Sequence, residues 1–159
     1  MMEIKELRNI EELYEKRILE GYECRRNGAY PESKEKYIEA IRYMPEEGRA
    51  YYYIAKVLYI TKDYSDSVKA YKKAYELGFK SDNLLVNLGH ALIDSENAEG
   101  EYSDVVKRYD IGLQPAYMKI NRGNRKKIMG FFKEVTPDMN KIDKYDKICE
   151  DAARKELNL

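Results

Sequence analysis

A chain of 159 residues with 43% hydrophobic and 36% charged side chains is long enough to bury roughly 68–70% of its unfolded surface, and this balance excludes long disordered tails. Lysine plus arginine equal aspartate plus glutamate at 29 each, so no bulk affinity for nucleic acid is expected. No apolar run approaches the roughly 20 residues needed to cross a bilayer; Lys56 interrupts the richest one, and an N-terminus carrying Glu3 and Glu6 without an apolar stretch is no signal peptide, so the expected compartment is the cytoplasm.

The charge is unevenly spread. Residues 1–47, 48–81, 82–115 and 116–159 sum to −3, +4, −5 and +4, an alternation suited to contacts between surfaces of opposite sign. Cys24 and Cys149 are the only cysteines and lie far apart, without metal-ligand spacing, so both read as structural. The 16 tyrosines are explained either by a base-composition bias or by an aromatic binding surface.

From Met2 to Asn27 the residues Ile4, Leu7, Ile10, Leu13 or Tyr14, Ile18 and Tyr22 recur at steps of three and four, the period of an amphipathic helix. One long helix would fit, but the preferred arrangement is an extension or capping turn over 1–13 followed by the first helix of a repeat from about Tyr14. Asn27-Gly28-Ala29 turns the chain, and Pro31 opens a second helix, where its missing N–H costs nothing. That helix runs to about Met44, buries Tyr37, Ala40 and Ile41, and stops at Pro45.

The next stretch, Gly48 to Phe79, is again two amphipathic helices with a polar break at Thr61-Lys62-Asp63. Setting it beside its neighbours gives a period of 34: Gly21, Ala55 and Gly89 fall in register, as do Tyr30 and Tyr64, Ser33 and Ser67, Tyr37 and Tyr71, and Ala40 and Ala74. Self-similarity at this period is the mark of a helical repeat array. The small residue at Gly21, Ala55 and Gly89 lets two helices approach while larger apolar residues fill the facing groove.

After Leu92 the expected turn tyrosine is delayed to Tyr102, with the acidic stretch Asp94 to Glu101 filling the gap. Ser103 then caps a helix carrying Val105, Val106, Tyr109 and Leu113, which Pro115 ends. Residues 116–135 read as a short helix, a break at Asn121-Arg122-Gly123-Asn124 and a second helix. Thr136-Pro137-Asp138 caps a last helix to about Leu157, with Met139, Ile142, Tyr145, Cys149 and Ala152 on one face. Such a one-sided helix suits the end of a repeat array.

No catalytic constellation is present: His90 is the single histidine, and there is no phosphate-binding glycine loop or nucleophile motif. No cofactor or metal is expected. The acidic stretch at Asp94 lacks calcium-loop spacing, since Glu99 stands where the loop needs glycine. Arg122, Arg125, Lys126 and Lys127 form a basic run without aromatic interleaving, a weak signal for phosphate or acidic-surface binding.

The pattern Tyr51-x-x-Ile54-Ala55-x-x-Leu58 followed by Ser67-x-x-x-Tyr71, repeated in part as Leu85-x-x-Leu88-Gly89-x-x-Leu92, resembles the tetratricopeptide repeat family. The resemblance covers about two thirds of the chain. It implies an all-α fold: an α-solenoid of about three tetratricopeptide-like hairpins (14–47, 48–81 and 82–115), an N-terminal helical extension over 1–13 and C-terminal capping helices over 116–159, together one folded domain. In this family the first helix of each unit lines a concave groove. Matching positions are Glu15, Ile18, Tyr22, Arg25 and Arg26, then Arg49, Tyr52, Lys56 and Tyr59, then Asn83, Val86, His90 and Ile93. On this assignment Tyr52 and Tyr59 face the groove while Tyr51, Tyr64, Tyr71 and Tyr75 pack.

The implied function is a non-catalytic interaction module, an adaptor, scaffold or assembly factor, that holds a protein or peptide ligand bearing acidic and apolar or aromatic side chains. Alternatives are a secretion-type chaperone of the same architecture, or a self-associating regulatory protein whose basic C-terminal run contacts nucleic acid or an acidic partner. The two-carboxylate clamp of tetratricopeptide co-chaperones is absent, because Ile18, Tyr22, Tyr53, Asn83 and Val86 stand at its places. Groove residues covered by the terminal helices or by a second copy would bind no separate ligand.

The repeat register makes a direct prediction. Ala55→Phe overpacks the helix crossing and is expected to destabilise the chain by about 1–3 kcal/mol; an unchanged thermal melt followed by circular dichroism would remove Ala55 from that crossing.

Overall fold

A computed structural model describes residues 3–95 and 139–159, and every regular element in them is an α-helix. These are α1 (Ile4–Arg26), α2 (Tyr30–Tyr43), α3 (Gly48–Ile60), α4 (Tyr64–Glu76), α5 (Asp82–Ser95) and α6 (Met139–Glu156). The chain divides into two compact units, Met1–Lys80 and Ser81–Leu159. The expected helices of 103–113 and 116–135, and the cap at Thr136, lie outside the described residues.

In the first unit α1 pairs with α2, and α3 with α4, as two helical hairpins. The preferred break near Tyr14 is corrected: the chain forms one continuous helix of 23 residues, started by a capping box between Glu3 and Glu6. Tyr14, Ile18 and Gly21, from its middle onward, are buried, while Ile4 and Leu7 near its start are exposed. Pro31 sits in the first turn of α2.

The 34-residue period is written in hydrogen bonds as well as in sequence. The Ser33 hydroxyl donates to the Gly21 carbonyl at 2.7 Å, and the Ser67 hydroxyl donates to the Ala55 carbonyl at 2.8 Å. Both serines are fully buried. Each hydroxyl therefore clamps the second helix of a hairpin onto the small residue of the first, and the buried serine is satisfied where an unpaired one would be costly. A Cβ built on Gly21 would stand 2.6 Å from the Tyr37 ring, so the first crossing is closer still than the one that accommodates Ala55.

Between the hairpins, Tyr14, Ile18, Tyr37 and Ala40 join Ala50, Ile54, Val57 and Leu58 in one apolar cluster. Tyr37 of α2 stacks on Tyr53 of α3 with ring centroids 5.5 Å apart and planes at 18°. Tyr14 donates its hydroxyl to Glu47 at 2.7 Å, and the same carboxylate oxygen accepts the Arg49 backbone N–H at 3.0 Å. Glu47 is thus at once the N-cap of α3 and its tether to α1. Burial and the Glu47 hydrogen bond both push the Tyr14 phenol well above the usual tyrosine range, so it stays a donor.

In the second unit α5 packs on α6. A Cβ on Gly89 would lie 1.8 Å from the Cys149 carbonyl oxygen, so any side chain there would force the two backbones apart. The repeat's small-residue position thus meets the last helix of the chain at this crossing. No disulfide joins Cys24, which is half-buried, to the buried Cys149.

Helices α1, α3, α4 and α6 all end in the same way. The residue after the cap is left-handed, at Gly28 (φ 78°), Lys62 (φ 68°), Gly78 (φ 91°) and Asn158 (φ 58°), and the following N–H reaches back to a carbonyl of the last turn: Ala29 to Cys24, Asp63 to Leu58, Phe79 to Ala74 and Leu159 to Arg154. These are Schellman closures, which favour glycine because a Cβ is strained at positive φ. Lys62 occupies the place that Gly28 holds 34 residues earlier. Lys62→Gly is therefore expected to stabilise the chain by up to about 1 kcal/mol, seen as an increase in the midpoint of chemical denaturation.

Candidate functional site

The residues singled out from the sequence divide sharply by burial. In the first unit Ile18 (7% exposed), Tyr52 (7%) and Tyr59 (8%) are buried. Ile18 belongs to the apolar cluster. Tyr52 lies among Tyr53, Tyr71 and Phe79, the last with its ring centroid 4.8 Å away, and Tyr59 packs on Tyr64 at 5.3 Å. The expected division of tyrosines is corrected accordingly: Tyr52 and Tyr59 are packing residues, and Tyr51 is only half-buried. The reason is that α3 is flanked on more than one side, by α4 and by α2, so it buries more than the single stripe a periodicity reveals.

Arg49 is spent within the fold. Its guanidinium pairs with Glu15 and lies 5.3 Å over the Tyr14 ring. Burial pulls its pKa down, but the Glu15 and Tyr14 hydrogen bonds outweigh that and hold it above the usual range.

What remains at this end of α1 and α3 is a cation-rich aromatic surface. Tyr22 is 40% exposed, with the guanidinium carbons of Arg25 and Arg26 at 5.2 and 5.9 Å from its ring. Lys56 places its Nζ 5.3 Å over the Tyr52 ring. Such contacts contribute roughly 0.5–2 kcal/mol each but leave the charge uncancelled. Among the described residues no carboxylate pairs with Arg25, Arg26 or Lys56.

The consequence is visible in two places. Desolvation, reinforced by repulsion from Arg25, brings the Lys56 ammonium down to about 8. Among the described residues Arg25 Nε is buried without a hydrogen-bond partner, and burial raises the Tyr37 phenol to about 12 against the opposing charge of Arg25. A buried guanidinium donor left unmatched beside excess positive charge is the complement of an anion. Arg25 and Arg26 also occupy the last turn of α1, where cations suit the helix dipole. That explains their presence at the terminus but not the burial of Lys56.

In the second unit Asn83 is half-buried, whereas Val86, His90 and Ile93 are buried. The expectation that His90 lines an open groove is corrected: α6 covers it. His90 Nε2 lies 3.2 Å from Asp146 Oδ1, its Nδ1 lies 3.5 Å from Cys149 Sγ, and its ring is 5.1 Å from that of Tyr145. The order Cys, His, Asp matches that of a nucleophile relay, yet Cys149 is 0% and Asp146 1% exposed. The cluster serves as a polar clasp between α5 and α6. Its signal in the sequence is Asp146 beside Tyr145, a carboxylate next to the apolar stripe of the last helix. Arg122, Arg125, Lys126 and Lys127 lie outside the described residues.

Among the described residues no helix is long and apolar enough to cross a membrane, and no three His, Cys, Asp or Glu side chains gather as a metal site.

The pKa of Lys56 carries a stability prediction. Its folded value lies below the unfolded one, so the cost of burying the cation is present in full below about pH 8 and is relieved as pH rises from there toward the unfolded lysine value. Lys56→Met is expected to stabilise the chain at pH 7 by on the order of 1–2 kcal/mol, allowing for solvent screening of a half-buried amine. The gain should shrink at pH 10, as measured by denaturant melts at the two pH values.

No protein-family model and no curated protein sequence matches the chain. Among solved structures it is similar to the TPR2B domain of yeast Sti1, in a structure described as a complex with pHsp70, at 20% identity and a TM-score of 0.44, over 91% of this chain and 98% of that one. The chain's own helices and its 34-residue register of hydrogen bonds and turns make its first unit a pair of tetratricopeptide-like hairpins.

Proposed function

We infer that the chain is a non-catalytic interaction module whose first unit grips an acidic segment carrying aromatic or apolar side chains. The supporting observation is the uncancelled positive charge of Lys56 and Arg25, held half-buried beside Tyr22 and Tyr52. A carboxylate entering there would satisfy Arg25 Nε, relieve the repulsion between the two cations, and form charge-assisted hydrogen bonds in a partly desolvated setting. Tyr22 supplies exposed aromatic area at low entropic cost. Folded hairpins position these groups without a loop rearrangement, so binding needs little reorganisation.

The reading has a proton signature. A bound carboxylate raises the Lys56 pKa from its depressed value, so the attraction is complete below about pH 8 and is lost as pH rises above it. Fluorescence anisotropy of the full chain with a peptide of glutamate and phenylalanine should show this fall in affinity. The same peptide should bind roughly tenfold or more weakly to Arg25→Glu and to Lys56→Glu. Equal binding by both variants, with unchanged helicity, would exclude the site.

A further inference from the structure

At the other end of α1 the molecule carries a second surface of opposite character. The apolar stripe of α1 is continuous, but its two halves fare differently. Tyr14, Ile18 and Gly21 are buried, whereas Leu7 is 47% and Ile4 75% exposed. Helix α2, which pairs with α1, has 14 residues to the 23 of α1, and Pro45 follows its end. Beside the overhang lies a cavity of about 380 Å³, lined by Leu7, Ile10, Tyr43, Met44, Pro45 and three glutamates, Glu11, Glu46 and Glu47.

The charged side chains that line this hollow, among the described residues, are acidic. Glu11 and Glu46 are exposed and take part in no ion pair among the described residues. Glu47 accepts from Tyr14 and the Arg49 backbone. The C-terminal carbonyl end of α2, at Tyr43 and Met44, adds the negative pole of a helix dipole. Among the described residues no basic side chain lines the cavity. Lys5 and Arg8 lie against a different hollow, with Glu6, Asn9 and Glu12.

We propose that this hollow is a docking site for a basic amphipathic helical segment of a separate partner, whose apolar face covers Ile4, Leu7 and Ile10 while its lysines or arginines meet Glu11 and Glu46. Such a segment would extend the line of α2, covering the first half of the α1 stripe as α2 covers the second. Its chemistry is the reverse of that expected at Lys56 and Arg25, so the two surfaces select different ligands.

The test uses the full chain and a short fluorescein-labelled peptide of leucine and lysine in helical amphipathic order. Two controls accompany it, one with glutamate in place of lysine and one with serine in place of leucine. The leucine-lysine peptide should bind in preference to both, with affinity falling as salt increases. Leu7→Glu and Glu46→Lys, at exposed positions where helicity should be unaffected, should each weaken it roughly tenfold. Arg25→Glu should leave it unchanged, which separates this site from the cationic one. Equal binding of the leucine-glutamate peptide, or full affinity in both Leu7→Glu and Glu46→Lys, would overturn the proposal. So would sedimentation of the chain as a dimer that Leu7→Glu converts to monomer, since a second copy would then own the surface.

Discussion

The first unit depends on a close approach between paired helices, enforced by a buried serine hydroxyl reaching a backbone carbonyl on its neighbour. At Gly21 and Ala55 the absence of a long side chain brings the helices near enough for Ser33 and Ser67 to make that reach. Neither part suffices alone: without the small residue the hydroxyl is too distant, and without the hydroxyl a carbonyl loses a partner in the interior. Once the crossings are fixed, Tyr37 is brought against Tyr53, Glu47 against Tyr14, and the ends of α1 and α3 take their places. The cationic surface is therefore a by-product of packing geometry, placed by helices whose own contacts lie elsewhere.

Much of the fold was legible because the governing constraint is periodic. Glycine or alanine, then serine twelve residues on and tyrosine four beyond that, reports a helix crossing directly, and Gly28 and Pro31 mark the turn between. The site was less legible. Periodicity finds the stripe that one neighbour covers, but α3 has several neighbours, and Tyr52 buries itself on Tyr71 and Phe79 rather than facing outward. His90 shows the same limit over a greater distance: its repeat position is set by local phase, whereas its cover comes from Asp146, 56 residues later. Arg49 was legible as a cation but not as one already paired with Glu15.

The charge pattern gains meaning once placed in space. Surface ion pairs such as Arg17 with Glu39 and Lys36 with Glu20 join α1 to α2 and contribute little to stability singly. Leaving Arg25, Arg26 and Lys56 outside such pairs is the departure, and it falls beside the rings of Tyr22 and Tyr52. In the second unit the choice is reversed: His90 and Asp146 pair in the interior, across the contact between α5 and α6.

The continuity of α1 links these observations. A single unbroken helix carries Leu7 near its start and Arg25 near its end, about 27 Å apart along the axis at the usual helical rise. An α-helix of this length bends little and twists by a fixed amount per residue. The acidic hollow and the cationic surface are consequently held at a set spacing and a set angular offset, so that α1 acts as a ruler. Ligands seated at its two ends would have their separation and relative orientation fixed by the number of residues between them, and inserting one residue into α1 would rotate one ligand about the other by roughly 100°.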